Sequence, residues 1–334
     1  MDDTIEPPFQ ETYPTLFDNI SEKEGDESWL RMDDVEYCEL PLVDLSLLSS
    51  NSEHLDKCIK EMAEAASEWG FFQVVNHGIP QKVLKNMRYE QNKLFHQPFS
   101  KKAEESFMNF SANSYRWGNP SATSLRQFSW SEAFHIPLTD ISRLDECSRT
   151  RSSVGLSATK AGSLAERLAE YLAHNLGVKS SYFRENCLPS SSYLRMNRYP
   201  PCPLSFEVYG LIPHTDSDFL TVLYQDQVGG LQLRKDGRWL SVRPNPQVLI
   251  INIGDLFQAL SNGVYKSIEH RVVAQSEVER YSAGYFYCPS DEAVIESLSK
   301  PAVYRKFSFD EYRQQVQKDV RATGDKVGLS RFLL

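Results

Sequence analysis

Three side chains in the second half of the chain carry ligand chemistry: His214 and Asp216, two residues apart, and His270. In extended backbone, side chains two apart point to one face, so an imidazole and a carboxylate can be offered to a single point. A second imidazole from a neighbouring strand would complete a triangle and leave three positions of an octahedron open, the arrangement that suits Fe(II) activating oxygen. An isolated HxD also arises by chance, and zinc accepts the same ligands. A zinc site, however, is usually tetrahedral with one water and needs no anion pocket beside it. Such a pocket is suggested by Arg280-Tyr281-Ser282, ten residues after His270. Arg280 and Ser282 share one strand face, and a guanidinium fork with a hydroxyl suits a carboxylate. Tyr199 offers a further donor. The parity that turns Tyr199 inward along Arg195-Met196-Asn197-Arg198-Tyr199 also turns Asn197 and Arg195 inward, and Met196 and Arg198 away. Counting by twos from Arg280 adds Gly284, Phe286 and Cys288 to the site face, with Phe286 as a candidate wall.

These residues need strands to position them. From about residue 190 the sequence breaks into short alternating or apolar segments separated by turn residues, as in a β-sandwich or barrel. Tyr193–Tyr199, Leu220–Tyr224, Leu231–Arg234, Val248–Ile253, His270–Ala274 and Tyr281–Tyr287 read as strands. Upstream, Glu39–Leu45 and Phe71–Val75 read as strands and Ser46–Ser52 as a loop. Leu55, Ile59, Met62, Ala66 and Trp69 recur at helical spacing up to Gly70, a helix end signal. Further helices are expected at 81–95, at 159–176 with a stripe of Leu164, Leu168, Leu172 and Leu176, and at Phe309–Val320.

The formal charge of −9 argues against nucleic-acid binding. With 41% hydrophobic and 24% charged residues, the composition is that of a globular protein. No run reaches the roughly 20 apolar residues of a membrane helix, and Met1-Asp2-Asp3 does not open a signal peptide. The expectation is a cytoplasmic protein, with nuclear residence compatible, that binds neither nucleic acid nor membrane; the oligomeric state is left open. The six cysteines are scattered without metal or disulfide spacing and are expected as reduced, mostly buried thiols. The acidic, proline-containing residues 1–36 are expected to form a loose tail.

Taken together, His214-x-Asp216, His270 and Arg280-x-Ser282 resemble the signature of the plant 2-oxoglutarate- and Fe(II)-dependent dioxygenases, and Asn197-Arg198-Tyr199-Pro200-Pro201-Cys202 resembles their NYYPPC box. Leu40–Leu45 and Trp69–Gly78 are similar to the amino-terminal region of that family, and Gly229–Leu233 and Asn252–Asp255 to its core. Within the family, Ser114–Pro120, Trp130–His135 and Leu194–Tyr199 look most like gibberellin 2-oxidases of the C20-gibberellin branch. Arg198 departs from the commoner tyrosine, at a position that parity turns away from the site.

The resemblance implies a mainly β fold with helices, a distorted double-stranded β-helix (jelly roll) supported by an N-terminal helical region. The divisions would be the tail 1–36, a helix-rich region 37–185, the jelly roll 186–295 and a C-terminal helical segment 296–334. It further implies that His214, Asp216 and His270 hold Fe(II), and that Arg280, Ser282 and Tyr199, with Asn197 at the near end, bind 2-oxoglutarate. Oxygen would be the second cosubstrate, ascorbate the reductant and a gibberellin-like carboxylic acid the small-molecule substrate, inactivated by 2-beta-hydroxylation. Arg195, Phe286 and the mouth residues Tyr115, Arg116 and Trp117 are substrate-contact candidates. His77 matches a family position outside the triad and reads as a structural turn residue. Alternatives are another substrate, such as a flavonoid or terpenoid acid, and a non-catalytic jelly-roll binding module.

Overall fold

The alternation expected of the second half organises the architecture of the computed structural model, which describes residues 4–17, 35–105, 107–141, 149–178, 181–188, 190–204 and 208–334. Thirteen strands make the two principal sheets: β1 (Tyr37–Cys38), β2 (Leu42–Asp44), β3 (Phe71–Val75), β4 (Tyr115–Trp117), β5 (Glu132–Pro137), β6 (Tyr193–Tyr199), β7 (Tyr209–His214), β8 (Leu220–Gln225), β9 (Leu231–Lys235), β10 (Arg238–Val242), β11 (Leu249–Ile253), β12 (His270–Val273) and β13 (Arg280–Tyr287). One sheet has the order β1-β10-β9-β12-β7, the other β2-β3-β11-β8-β13-β6-β5-β4. Residues of both sheets line one cavity between them, the jelly-roll arrangement.

Each strand of the larger sheet sorts its side chains by parity. Along β13, Tyr281, Ala283, Tyr285 and Tyr287 enter the main apolar cluster, whereas Arg280, Ser282, Gly284 and Phe286 line the cavity. On β6, Leu194 and Met196 go to the cluster and Tyr193, Arg195, Asn197 and Tyr199 to the cavity. Cys288, expected on the cavity face, lies past the end of β13 and packs in the apolar cluster, because the alternation stops with the strand.

Helices Ser52–Glu68, Gln81–Phe95 and Arg149–Asn175 cover the outer face of the larger sheet. The leucine stripe holds: Leu164, Leu168 and Leu172 are buried and Leu176 packs against them. Burying each such side chain is worth about 1.5–3 kcal/mol. The 52–68 helix is stopped at Gly70, whose φ is +63° and where a Cβ would collide with the Lys266 carbonyl. The expected loop 46–52 is instead largely a 3-10 turn over Leu45–Ser49, begun when Asp44 accepts a hydrogen bond from the Ser46 amide.

Residues 4–17 depart from the expected loose tail. Phe9 is 3% exposed and stacks on Trp130 at 4.5 Å, while Glu6 pairs with Arg198 at 2.6 Å. Sparse aromatic anchors and one matched charge dock a segment whose overall composition reads as solvated. Residues 18–34 lie outside the described residues. Cys58, Cys187, Cys202 and Cys288 are buried free thiols, Cys38 is half-buried, and Cys147 lies outside the described residues. Burial pushes the Cys58 thiol up to about 11 and the Cys187 thiol up to about 12, keeping both protonated.

Candidate active site

His214 ends β7 and faces His270, the first residue of β12, across an antiparallel register. Each imidazole turns Nδ1 to a carbonyl two residues back: Ile212 at 2.8 Å for His214 and Ile268 at 3.1 Å for His270. The Nε2 atoms therefore point the other way, each 3.7 Å from Asp216 Oδ1. The three donors lie within 4.8 Å of one another. Asp216 is not on the strand; β7 stops at His214, so alternation alone does not place the carboxylate. Three other contacts do. The Asp216 carbonyl accepts from the Asp255 amide at 3.0 Å, and Oδ2 accepts from Asn252 Nδ2 and from Thr221 Oγ1, the latter at 2.6 Å.

These contacts leave Oδ1 on the imidazole side. Burial works against ionisation of Asp216, but the two imidazoles and the Thr221 hydroxyl hold its carboxyl below the usual range. Burial, followed by the adjacent His270, lowers His214 to about 3, so it is a neutral ligand. Asp218, buried and next to Asp216, is pushed well above the carboxylate range. The Thr221 hydroxyl bridges the two carboxyl groups, 2.6 Å from Asp216 Oδ2 and 2.9 Å from Asp218 Oδ2. Two imidazoles and one carboxylate fit Fe(II), and these residues would hold it.

The anion pocket lies in the same cavity, of about 280 Å³, reached by Arg280, Ser282, Tyr199, Asn197, Arg195 and Phe286 as well as the triad. Arg280 is 1% exposed. Its Nε donates to the Gly229 carbonyl, Nη2 donates to Gln225 Oε1 at 2.9 Å, and the guanidinium lies 4.8 Å from the Tyr199 ring centroid. Nη1 is buried without a protein partner. Leaving such a donor unpaired costs about 1–3 kcal/mol or more, which an arriving carboxylate would recover. That open nitrogen fits 2-oxoglutarate and has no counterpart in the needs of a plain zinc site. Ser282 and Asn197 are register partners, with Asn197 Nδ2 donating to Ser282 Oγ at 3.4 Å. Arg195 Nε in turn donates to Asn197 Oδ1 at 2.8 Å.

The three mouth candidates divide. Residues 115–117 form edge strand β4 rather than a loop, so Tyr115 and Trp117 share the face away from the cavity. Tyr115 donates its hydroxyl to buried Glu132, and Trp117 packs edge-on against Phe9 at 5.7 Å. Neither lines the cavity, so both are withdrawn as substrate contacts. Arg116 does not line the cavity either, but the register puts it on the cavity face of the sheet, in the row of Ala133 and Asn197. Arg198 turns away as parity requires, into ion pairs with Glu6, Glu132 and Glu279. His77 accepts a hydrogen bond from the Ile79 amide at 3.1 Å in its turn, a structural role.

Sequence reading missed Thr221 and Asn252, the supports of Asp216, and Gln225, which braces Arg280. Asn252 carries a signal: it is the one polar residue in Leu249-Ile250-Ile251-Asn252-Ile253, where an unpaired amide would be costly. Also missed was Lys326, which lines the cavity and holds the Thr215 carbonyl and Asp255, each at 2.8 Å. No local pattern marks it.

The fold and site define a non-haem iron oxygenase, and the chain belongs to the 2OG-Fe(II) oxygenase superfamily: that family's model matches residues 190–289, and the model described as non-haem dioxygenase in morphine synthesis N-terminal matches residues 40–153. It is a dioxygenase with Fe(II) and 2-oxoglutarate as its cofactor and cosubstrate. Among individual proteins, the chain is 56% identical to Gibberellin 2-beta-dioxygenase 8 of Arabidopsis thaliana, over 98% of this chain and 99% of that protein. It is 45% identical to Gibberellin 2-beta-dioxygenase 5 of Oryza sativa subsp. japonica, over 99% and 97%. A crystal structure of JOX2 with 2OG, Fe and JA superimposes with a TM-score of 0.75 at 30% identity, covering 90% of each chain.

Proposed function

We propose that this protein is a gibberellin 2-beta-dioxygenase that hydroxylates C2 of gibberellins, C20 forms foremost, and thereby inactivates the hormone. The observation that carries this reading is the 56% identity along nearly the whole chain to a protein of that activity. Bound Fe(II) and 2-oxoglutarate supply the chemistry: oxygen is consumed, 2-oxoglutarate is cleaved to succinate and carbon dioxide, and one oxygen atom enters a C–H bond of the substrate as hydroxyl.

The chain's own residues bind and orient. His214, Asp216 and His270 hold the metal, with both imidazoles oriented by their Nδ1 contacts. Arg280 Nη1 and Ser282 Oγ receive the far carboxylate of 2-oxoglutarate; Asn197 lies toward the near end, and Tyr199 supports the guanidinium with its ring face. Phe286 gives the cavity an apolar wall that suits a rigid hydrocarbon skeleton. The test is incubation with Fe(II), 2-oxoglutarate, ascorbate and a panel of C19 and C20 gibberellins. A product heavier by one oxygen, identified as the 2-beta-hydroxy compound, is expected; absence of any such product across the panel sinks the reading.

A further inference from the structure

The register of the larger sheet sets two rows of side chains across the cavity face. Ser282, Asn197, Ala133 and Arg116 make the first row, and Gly284, Arg195 and His135 the second. Arg280, Ser282 and Asn197 occupy one end, where 2-oxoglutarate binds. Beyond Asn197, Arg195 lines the cavity, and Arg116, outside the lining, lies further along the same face toward the sheet edge, with only the methyl of Ala133 between Arg116 and Asn197 in their row. Arg195 spends Nε on Asn197 and Arg116 spends Nε on the Asn113 carbonyl at 3.1 Å. Among the described residues neither guanidinium pairs with a carboxylate.

Two guanidiniums with no anion between them repel. Burial and then Arg195 pull Arg116 below its ordinary range. Burial, then Arg195, Arg116 and Arg313, lower His135 to about 3, so its imidazole is uncharged. Arg313 has its own partner, Asp291, at 2.8 Å. From this cationic pair a wall of stacked rings runs inward: His135 lies on Tyr193 at 4.1 Å, and Tyr193 on Phe286 at 4.6 Å and nearly parallel.

We propose that Arg116 and Arg195 jointly grip a carboxylate of the hydrocarbon substrate, beyond Asn197 on the side of the cavity toward the sheet edge, while the neutral His135–Tyr193–Phe286 stack supports its rings. This rests on the gibberellin reading and adds which residues select for an acid. 2-Oxoglutarate is not the anion concerned, because its far carboxylate is served by Arg280 and Ser282.

The experiment measures equilibrium binding of a C20 gibberellin and of its fully esterified methyl derivative to the Fe(II)- and 2-oxoglutarate-loaded protein without oxygen, alongside 2-oxoglutarate affinity. Arg116 lies on edge strand β4 with part of its side chain in solvent, so Arg116→Gln is expected to fold normally. Losing a charge-assisted bond weakens acid binding by about tenfold or more. The ester should bind wild type about as weakly, Arg116→Gln should weaken ester binding no further, and 2-oxoglutarate affinity should not move. Arg116→Lys, which keeps the charge, should recover part of the loss. Equal loss for acid and ester, or an unchanged acid affinity in Arg116→Gln, overturns the inference alone. Wild-type protein that binds neither compound overturns the gibberellin reading and this inference with it.

Discussion

Arg280 commits Nε and Nη2 to the protein and leaves Nη1 open, so changing it separates cosubstrate binding from folding. Arg280→Lys keeps a charge but loses the fork that reaches Gly229, Gln225 and an incoming carboxylate together. The loss of one charge-assisted bond, about 1.5–3 kcal/mol, should raise the 2-oxoglutarate KM roughly ten- to a hundredfold. Normal 2-oxoglutarate saturation in a folded variant would remove Arg280 from its role. Asp216→Ala should abolish turnover and leave the purified protein without stoichiometric iron by metal analysis. The carbonyl contact to Asp255 is backbone and survives the change, so the fold should persist, as far-ultraviolet circular dichroism would record. A variant that still carries full iron would show that the ligand has been misassigned.

At the scale of elements, the helix Gln81–Phe95 acts as a brace behind the cosubstrate residues. Gln91 donates to the Asn197 carbonyl at 3.1 Å and to the Ser282 carbonyl at 2.8 Å. Arg88 holds Asp226 at 2.7 Å, and Asp226 accepts the Tyr281 amide. The helix is legible in the sequence from its apolar spacing, but the partners of its polar residues are not, because they lie more than a hundred residues away. Gln91→Leu removes two buried side-chain hydrogen bonds to these carbonyls, at about 0.5–1.5 kcal/mol each. Thermal unfolding should move down and the 2-oxoglutarate KM should rise, with affinity for the gibberellin nearly unchanged. An effect confined to stability would reduce Gln91 to ordinary packing.

Over the whole molecule, Arg198 ties distant parts together. It joins Glu6 near the amino terminus, Glu132 on β5 and Glu279 before β13, and Glu132 also meets Lys102 at 2.6 Å. The departure from the commoner tyrosine in the Asn197–Cys202 motif thus has a local cause in the carboxylates it neutralises. Arg198→Tyr strands two of these carboxylates and buried Glu132 with less positive charge. Removing one partner of such a buried network should cost about 3–5 kcal/mol, read by urea unfolding. A change within about 0.5 kcal/mol would make the network dispensable. Ligand linkage offers an independent check on the intact protein. Fe(II) and 2-oxoglutarate, each at about 100 times Kd and without oxygen, should add about 2.7 kcal/mol apiece, and chelation should reverse it.

Legibility in the sequence followed the range of the forces involved. Strand parity is a property of neighbouring residues, so it placed Arg280 with Ser282 and Asn197 with Tyr199, and it turned Arg198 away. It failed at Cys288, which lies beyond a strand end; Asp216 meets His214 as expected, but from beyond the end of β7, where contacts to other segments set its position. The cationic character of the site within a chain of net charge −9 was likewise visible, since Arg280 and Arg195 declare themselves by type and spacing. Only the tertiary structure brought His270 opposite His214, docked residues 4–17 through Phe9 and Glu6, and set Arg116 on β4 on the same sheet face as Arg195 on β6, one row apart. The sequence alone determined which side chains each strand offers to the cavity; which of them meet was decided by the cross-strand registers, whose hydrogen-bond partners lie far along the chain.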